Sequence, residues 1–195
     1  MIRPVLIWPD VRLESRCEPV DEIHLDLLRK GGDCWLRTFV TDLVETLAHF
    51  GGSSLSAPQV GEITNVITVR VKHVRPEGKQ EIEEIIPIIN PSLKLLNRSQ
   101  LISEERCLSF PNHAVKIKRA SDVALSGIGL DGNAIEIESD GELAISIQHE
   151  MDHLAGIVLT DYESQLKRDL ARVKLAKLKI RGLRYRVPPP ERQPT

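Results

Sequence analysis

The sequence has few cysteines, almost no net charge and no long apolar run, and each scarcity excludes something. Its three cysteines, Cys17, Cys34 and Cys107, are odd in number and widely spaced. That argues against a disulfide framework and fits a reducing compartment. A formal net charge of −2, from 26 basic and 28 acidic residues, leaves no global nucleic-acid footprint. Any electrostatic partner must be argued from local clusters. No apolar stretch is long enough to span a membrane, and the opening MIRPVLIWPDVRLES, broken by Pro4 and Pro9, has too short an apolar run for a signal peptide. The cytoplasm is the expected location. No internal repeat or domain linker is visible, and 195 residues, 41% of them hydrophobic, suffice for one well-filled core.

The elements follow from periodicity and punctuation. Residues 5–8 read as a short strand ended by Pro9-Asp10. Apolar side chains at 35, 36, 39, 40, 43, 44, 47 and 50 repeat with a helical period, so Trp35–Phe50 is an amphipathic helix. Asp33 is its expected N-cap, and Gly51-Gly52 stop it. Residues 51–61 are too rich in small residues for an element interior. Strands are expected at 64–71, 84–90, 91–97, 114–119, 122–130 and 134–138, with a turn at 73–79 and a hairpin turn at Asp131-Gly132. Pro87 places its strand at an edge or a bulge. A helix over about 141–154, a short strand at 157–161 and a last helix over about 163–183 complete the order. The expectation is an α+β domain over residues 1–186, with mixed and antiparallel short strands around a central helix and a helix at the C-terminal end. Residues 187–195, with their run of prolines, are expected to be disordered.

The central helix contains IQHEMDHLAG, residues 147–156. His149 and His153 stand four apart and therefore share one helix face, a turn from each other. Glu150 can reach the space in front of that face. Two imidazoles so placed can hold a metal, while the carboxylate handles a proton of the water the metal activates, which is the logic of H-E-x-x-H. By itself the pair is also compatible with a solvated helix face. A catalytic site of this kind needs a third protein ligand. Cys17, Cys34, Cys107, His24, His49, His73 and His113 are the upstream candidates, and Glu163 is available downstream. A lone cysteine is ordinarily a small buried hydrophobe. Cys107 differs in standing beside Arg106, a neighbour that favours the thiolate.

Read together, three segments carry more information than any one. LSAPQ at 55–59, ERCLS at 105–109 and QHEMDHL at 148–154 resemble, in order and spacing, the three signature boxes of the peptide deformylases. The resemblance implies Cys107, His149 and His153 as ligands of one divalent metal ion, natively Fe(II), with zinc, nickel or cobalt as substitutes. It implies Glu150 as general base, and Gln59 and the backbone N–H of Leu108 as donors to the developing oxyanion. The reaction implied is removal of the N-terminal formyl group from formyl-methionyl nascent peptides, with release of formate. Two residues depart from the family pattern: Ser54 and Arg106 each stand where a glycine is usual. If position 106 requires a positive φ, an arginine there costs roughly 1 kcal/mol of strain. Ser53, Ser103 and Glu142 occupy mostly apolar pocket-wall positions of the family, so a more polar pocket mouth and a weaker methionine preference are expected.

Charge is lopsided only from Lys167 to Arg186, where nine basic residues face Asp169 alone. That is either a solvated helix face or, through residues 163–186, a contact with ribosomal RNA. Two other readings compete. One is a zinc metallopeptidase, with Glu163 as third ligand. The other is a catalytically silent deformylase-like binding protein, suggested by Ser54 and Arg106.

Overall fold

The structure is a computed structural model and describes residues 1–74 and 81–180. Five antiparallel strands, β1 (Ser54–Ser56), β2 (Val66–Val74), β3 (Glu81–Leu95), β6 (Asp122–Ile128) and β7 (Ala134–Asp140), form one sheet in the order β1-β2-β3-β6-β7. Strands β4 (Gln100–Arg106) and β5 (Ala114–Ala120) pair separately as an antiparallel hairpin. The helices are α1 (Glu22–Arg29), α2 (Trp35–Phe50), α3 (Gly141–Leu154) and α4 (Gln165–Ile180). The α+β class is as expected, and the named strands pair antiparallel throughout.

Long periodic segments match the sequence reading best. Helix α2 spans the expected residues and ends at Gly51, whose φ of 67° suits glycine. Its N-cap is Cys34, one residue later than expected, and no side chain caps it. Helix α1 was not anticipated. It is only eight residues long, capped by the Asp21 side chain on the His24 N–H, and it buries Leu25 and Leu28. Residues 84–90 and 91–97 join into the single strand β3, with a bulge between Ile89 and Ser92 and Asn90 at φ 49°. Pro87 pairs with Thr68 of β2, while pairing to β6 begins only at Ile89. The proline thus lies where β3 has one neighbour, a local edge that needs no N–H donor.

Three local expectations fail. Residues 5–8 form no strand, although Leu6 N–H donates to Gln59 O at 2.7 Å and Trp8 N–H to Ser109 O at 3.1 Å. The segment ties two loops together instead of joining a sheet. Residues 157–161 give a 3-10 turn, Leu159–Tyr162, because Asp161 accepts the Val158 N–H and closes the chain on itself. Residues 51–61 do contain elements: β1, and a 3-10 turn at Ala57–Val60. Residues 73 and 74 of the expected turn at 73–79 belong to β2, which runs through Val74, and residues 75–79 lie outside the described residues. So do the end of the last helix, beyond Ile180, and the tail at 187–195.

Helix α3 lies across the five-stranded sheet. Ala144, Ile147 and Leu154 recur on one face and pack with Ile67, Val69, Ile88, Val123 and Leu125. Burying a side chain such as Ile147 stabilises by about 1.5–3 kcal/mol. Burying that stripe holds the neighbouring face, with His149, Glu150 and His153, toward β1 and the end of β4. Helix α4 covers the β4-β5 hairpin through Ala171 and Leu175, which pack with Trp8, Phe110, Val115 and Ile117. Gly156, at φ 76°, ends the motif segment against the chain at Glu14; a Cβ there would meet Glu14 O at 2.8 Å.

Candidate metal centre and its pocket

Cys107 follows β4 directly, and His149 and His153 stand on α3, so one strand end and one helix supply three donors. Their ligand atoms lie within 4.8 Å of one another. Cys107 Sγ is 3.2 Å from His153 Nε2, and the two imidazole rings are 4.9 Å apart at 80°. Among the described residues, no other histidine, cysteine or acidic residue joins the group. Cys17 is buried elsewhere, its thiol pushed up to about 12 by burial and Glu18. His24 pairs with Asp21, and Cys34 is half-buried ahead of α2. Glu163 is bound to His113 at 2.8 Å, so the alternative third ligand is engaged away from the histidine pair.

The flanking residues orient the donors. Glu105 Oε2 accepts from His149 Nδ1 at 2.9 Å, which leaves Nε2 as the free ring donor. Arg119 holds Glu105 through two bonds, Nε to Oε1 at 2.7 Å and Nη2 to Oε2 at 3.0 Å. It also donates to Asp152 at 2.6 Å, and the Tyr162 hydroxyl donates to the same carboxylate oxygen at 2.6 Å. Gln59 is fully buried: its Oε1 accepts from Ser56 N–H and Oγ, and its Nε2 donates to Cys107 Sγ at 3.2 Å. Glu150 Oε1 accepts the Ser54 hydroxyl at 2.6 Å, while its Oε2 is buried with no partner among the described residues.

Electrostatics separate the two histidines. Burial, helped by His149 and Arg119, pulls His153 well below the ordinary imidazole value, which favours the neutral, ligating form. Burial also pulls His149 down, but the charges of Cys107, Glu105 and Glu150 outweigh it and raise its pKa well above that value. Burial raises Glu150, opposed by His149 and by the Ser54 and Ser56 hydroxyls. Burial pushes Glu105 the same way, but His149 and Arg119 prevail and lower it. Sulfur and nitrogen donors thus converge beside two buried carboxylates, Glu105 and Glu150. That donor set suits a divalent transition-metal ion.

A pocket of about 390 Å³ opens beside these donors, lined by Gln59, Cys107, Leu108, His149 and Glu150 at its inner end. Every residue the sequence reading assigned to the chemistry is therefore at one place. Glu105, Arg119, Asp152 and Tyr162 had been given no role. Glu105 and Asp152 sit inside the signature boxes, but nothing local in the sequence points to Arg119. The departures from the family pattern are structurally mild. Neither Ser54 nor Arg106 has a positive φ, so the expected strain at 106 is absent. Arg106 lies in β4, paired in register with Ala114, and its side chain meets Glu104 at 2.8 Å.

Three converging donors with a buried carboxylate beside them, at the inner end of an open pocket, make a candidate metal-dependent catalytic site. Comparison with known proteins then narrows the class. The polypeptide deformylase family matches residues 2–169, and the chain belongs to it. A peptide deformylase of Thermodesulfovibrio yellowstonii is 35% identical over 167 residues, covering 86% of this chain and 92% of that protein. The crystal structure of a peptide deformylase from Legionella pneumophila superposes with a TM-score of 0.75 at 32% identity, over 95% of this chain and all of that one. A Met-Ala-Ser-bound class I type b deformylase of Acinetobacter baumannii gives 0.70 at 26% identity, over 84% and 99%.

Proposed function

We propose that this protein hydrolyses the N-terminal formyl group of formyl-methionyl peptides, giving formate and a free amino terminus. The observation that carries the reading is the buried Glu150, with one unpartnered oxygen, beside the Cys107, His149 and His153 donors at the inner end of an open pocket. A divalent ion held by those donors would lower the pKa of water toward 7 and polarise the formyl oxygen. Fe(II) is the proposed native ion, with zinc, nickel or cobalt as substitutes. The chain's own residues do the rest. Glu150 accepts the proton of the attacking water, and its raised pKa suits it to pass that proton to the departing amine nitrogen. The Gln59 amide, held by Ser56, and the Leu108 N–H donate to the oxygen as it gains charge. Glu105 keeps the His149 ring oriented, and Arg119 keeps Glu105 ionised. Ser54 fixes the Glu150 carboxylate through one oxygen and leaves the other for the proton.

Formate release from formyl-Met-Ala-Ser by the metal-loaded protein tests the proposal. Glu150→Gln should lose about 10²–10⁴ in kcat while retaining the metal. Wild-type turnover in that variant would overturn the assignment of the base, and no formate from the parent protein would overturn the function. The metallopeptidase reading is not favoured, since Glu163 is held by His113. A cytoplasmic location is part of the same proposal; among the described residues no helix is long and apolar enough to cross a membrane.

Contact with ribosomal RNA through residues 163–186 belongs to the same proposal. Arg168 is paired with Glu14, Arg172 lies over Trp8, and Lys174 donates to Asn112 O, whereas Lys167 and Lys177 are exposed. Lys167→Glu with Lys177→Glu should weaken salt-sensitive ribosome pelleting; unchanged pelleting would sink the idea.

A further inference from the structure

The three donors come from two elements, and their convergence depends on how those elements are tied together. Cys107 follows β4, while His149 and His153 stand on α3. Arg119, on β5, spans the two. Its Nε and Nη2 donate to Glu105, two residues before Cys107, and its Nη1 donates to Asp152, between the two histidines. Asp152 stands three residues after His149 and one before His153, so a shift of Asp152 moves the helical turn that carries both rings. The guanidinium thus fixes the strand end that carries the thiol against the helix that carries the imidazoles.

Tyr162 braces this bridge. Its hydroxyl donates to Asp152 Oδ2 at 2.6 Å, the oxygen that Arg119 Nη1 also reaches, and accepts from Arg119 Nη1 at 3.2 Å. The Arg119 Cζ lies over its ring, 5.0 Å from the centroid, where a cation is attracted to the ring face. One side chain therefore holds the guanidinium by its face and by its edge, and the Asp152 carboxylate by an oxygen. Burial and Asp152, outweighing Arg119, push the phenol up to about 12, so its donor proton stays in place at neutral pH. Tyr162 is itself anchored through its neighbour Asp161, which accepts the Val158 N–H and pairs with Arg168 of α4. Arg119, Asp152 and Tyr162 line a narrow gap with His149 and His153, and none of the three lines the open pocket. Their contacts bear on the donors without meeting a peptide.

We infer that Tyr162 is a positioning residue of the metal centre: through Arg119 and Asp152 it keeps the Cys107 thiol converged with the His149 and His153 imidazoles. The inference rests on the proposed function for the presence of a divalent ion. It goes beyond that reading in tying retention of the ion to the turn that leads into α4.

Zinc retention is measured by chelator competition on Tyr162→Phe and Tyr162→Leu, alongside Co(II)-substituted absorption spectra and thermal unfolding. Removing a group that directly orients a ligand weakens metal affinity by about 10–100-fold, and Tyr162 acts one contact further out. Tyr162→Phe keeps the ring over Arg119 and loses the hydroxyl, so zinc affinity should fall about threefold. Tyr162→Leu loses both contacts, and its affinity should fall about tenfold. The Co(II) spectrum should shift in the same order, while KM for formyl-Met-Ala-Ser stays unchanged. Leu175→Ala, in α4, removes packing from the hairpin and leaves the Tyr162 contacts in place. It should lower the unfolding temperature more than Tyr162→Phe does, yet retain zinc like the parent. Parent-like retention and Co(II) spectra in both Tyr162 variants would overturn the inference. So would an equal loss of zinc in Leu175→Ala, which would make the effect one of general stability, or a parent protein that binds no zinc. If zinc is held and no formate is released, the deformylase reading fails, and the retention series still decides the role of Tyr162.

Discussion

The two ends of the pocket obey different rules. At the inner end Cys107, Gln59, His149, Glu150 and His153 are buried and bonded to one another and to their neighbours, with Glu150 Oε2 and His153 Nδ1 left without a hydrogen-bond partner among the described residues. At the outer end Ser53 and Glu142 are exposed, and Glu142 is bonded to nothing among the described residues. Burial is what separates them. A buried polar group without its partner costs about 1–3 kcal/mol, so the inner residues constrain one another. An outer side chain reaches water whichever way it points, so its chemistry can change without damage to the fold. Substitution is thus costly at the inner end and cheap at the outer one.

The contrast can be broken most severely at Arg119. Arg119→Met leaves the buried Glu105 carboxylate without its bidentate partner, and should destabilise the protein by about 3–5 kcal/mol in urea unfolding. A change below about 1 kcal/mol would show that this ion pair does not hold the inner end together. Glu105→Gln is milder, because an amide oxygen can still accept from His149 Nδ1. It should weaken metal retention by about 10–100-fold in competition with a chelator, and equal retention would remove Glu105 from the site's support. Arg106→Gly, in the outer wall, should change stability by less than about 0.5 kcal/mol. The arginine is exposed, carries no left-handed φ and has a surface partner in Glu104. A gain of 1 kcal/mol or more on installing glycine would mean that the arginine is strained after all.

Legibility in the sequence followed the range of the interactions. Helix α2 was readable because sixteen residues repeat one apolar period, whereas α1, at eight residues, offers two buried leucines and a cap. The segment at 157–161 has strand-like composition, but a strand needs a neighbour, and Asp161 closed a local turn instead. In the site, the paired histidines and Glu150 were legible because helical spacing places them. Ser54 was visible only as a missing glycine, and its bond to Glu150 spans 96 positions of sequence. Arg119 gave no local signal, since its partners Glu105 and Asp152 come from β4 and α3.

The sequence alone determined the α+β class, the helix that pairs His149 with His153, and the kinds of donor that a metal would meet. Those depend on local periodicity and on side-chain chemistry, which the chain carries wherever it folds. Only the tertiary structure decided that Cys107 meets that helix, that Glu105 turns His149 and Arg119 holds Glu105, and that Tyr162 braces Arg119 against Asp152. Such contacts are made by burial across elements distant in the chain, where the packing of α3 against the sheet and the hairpin sets which groups meet.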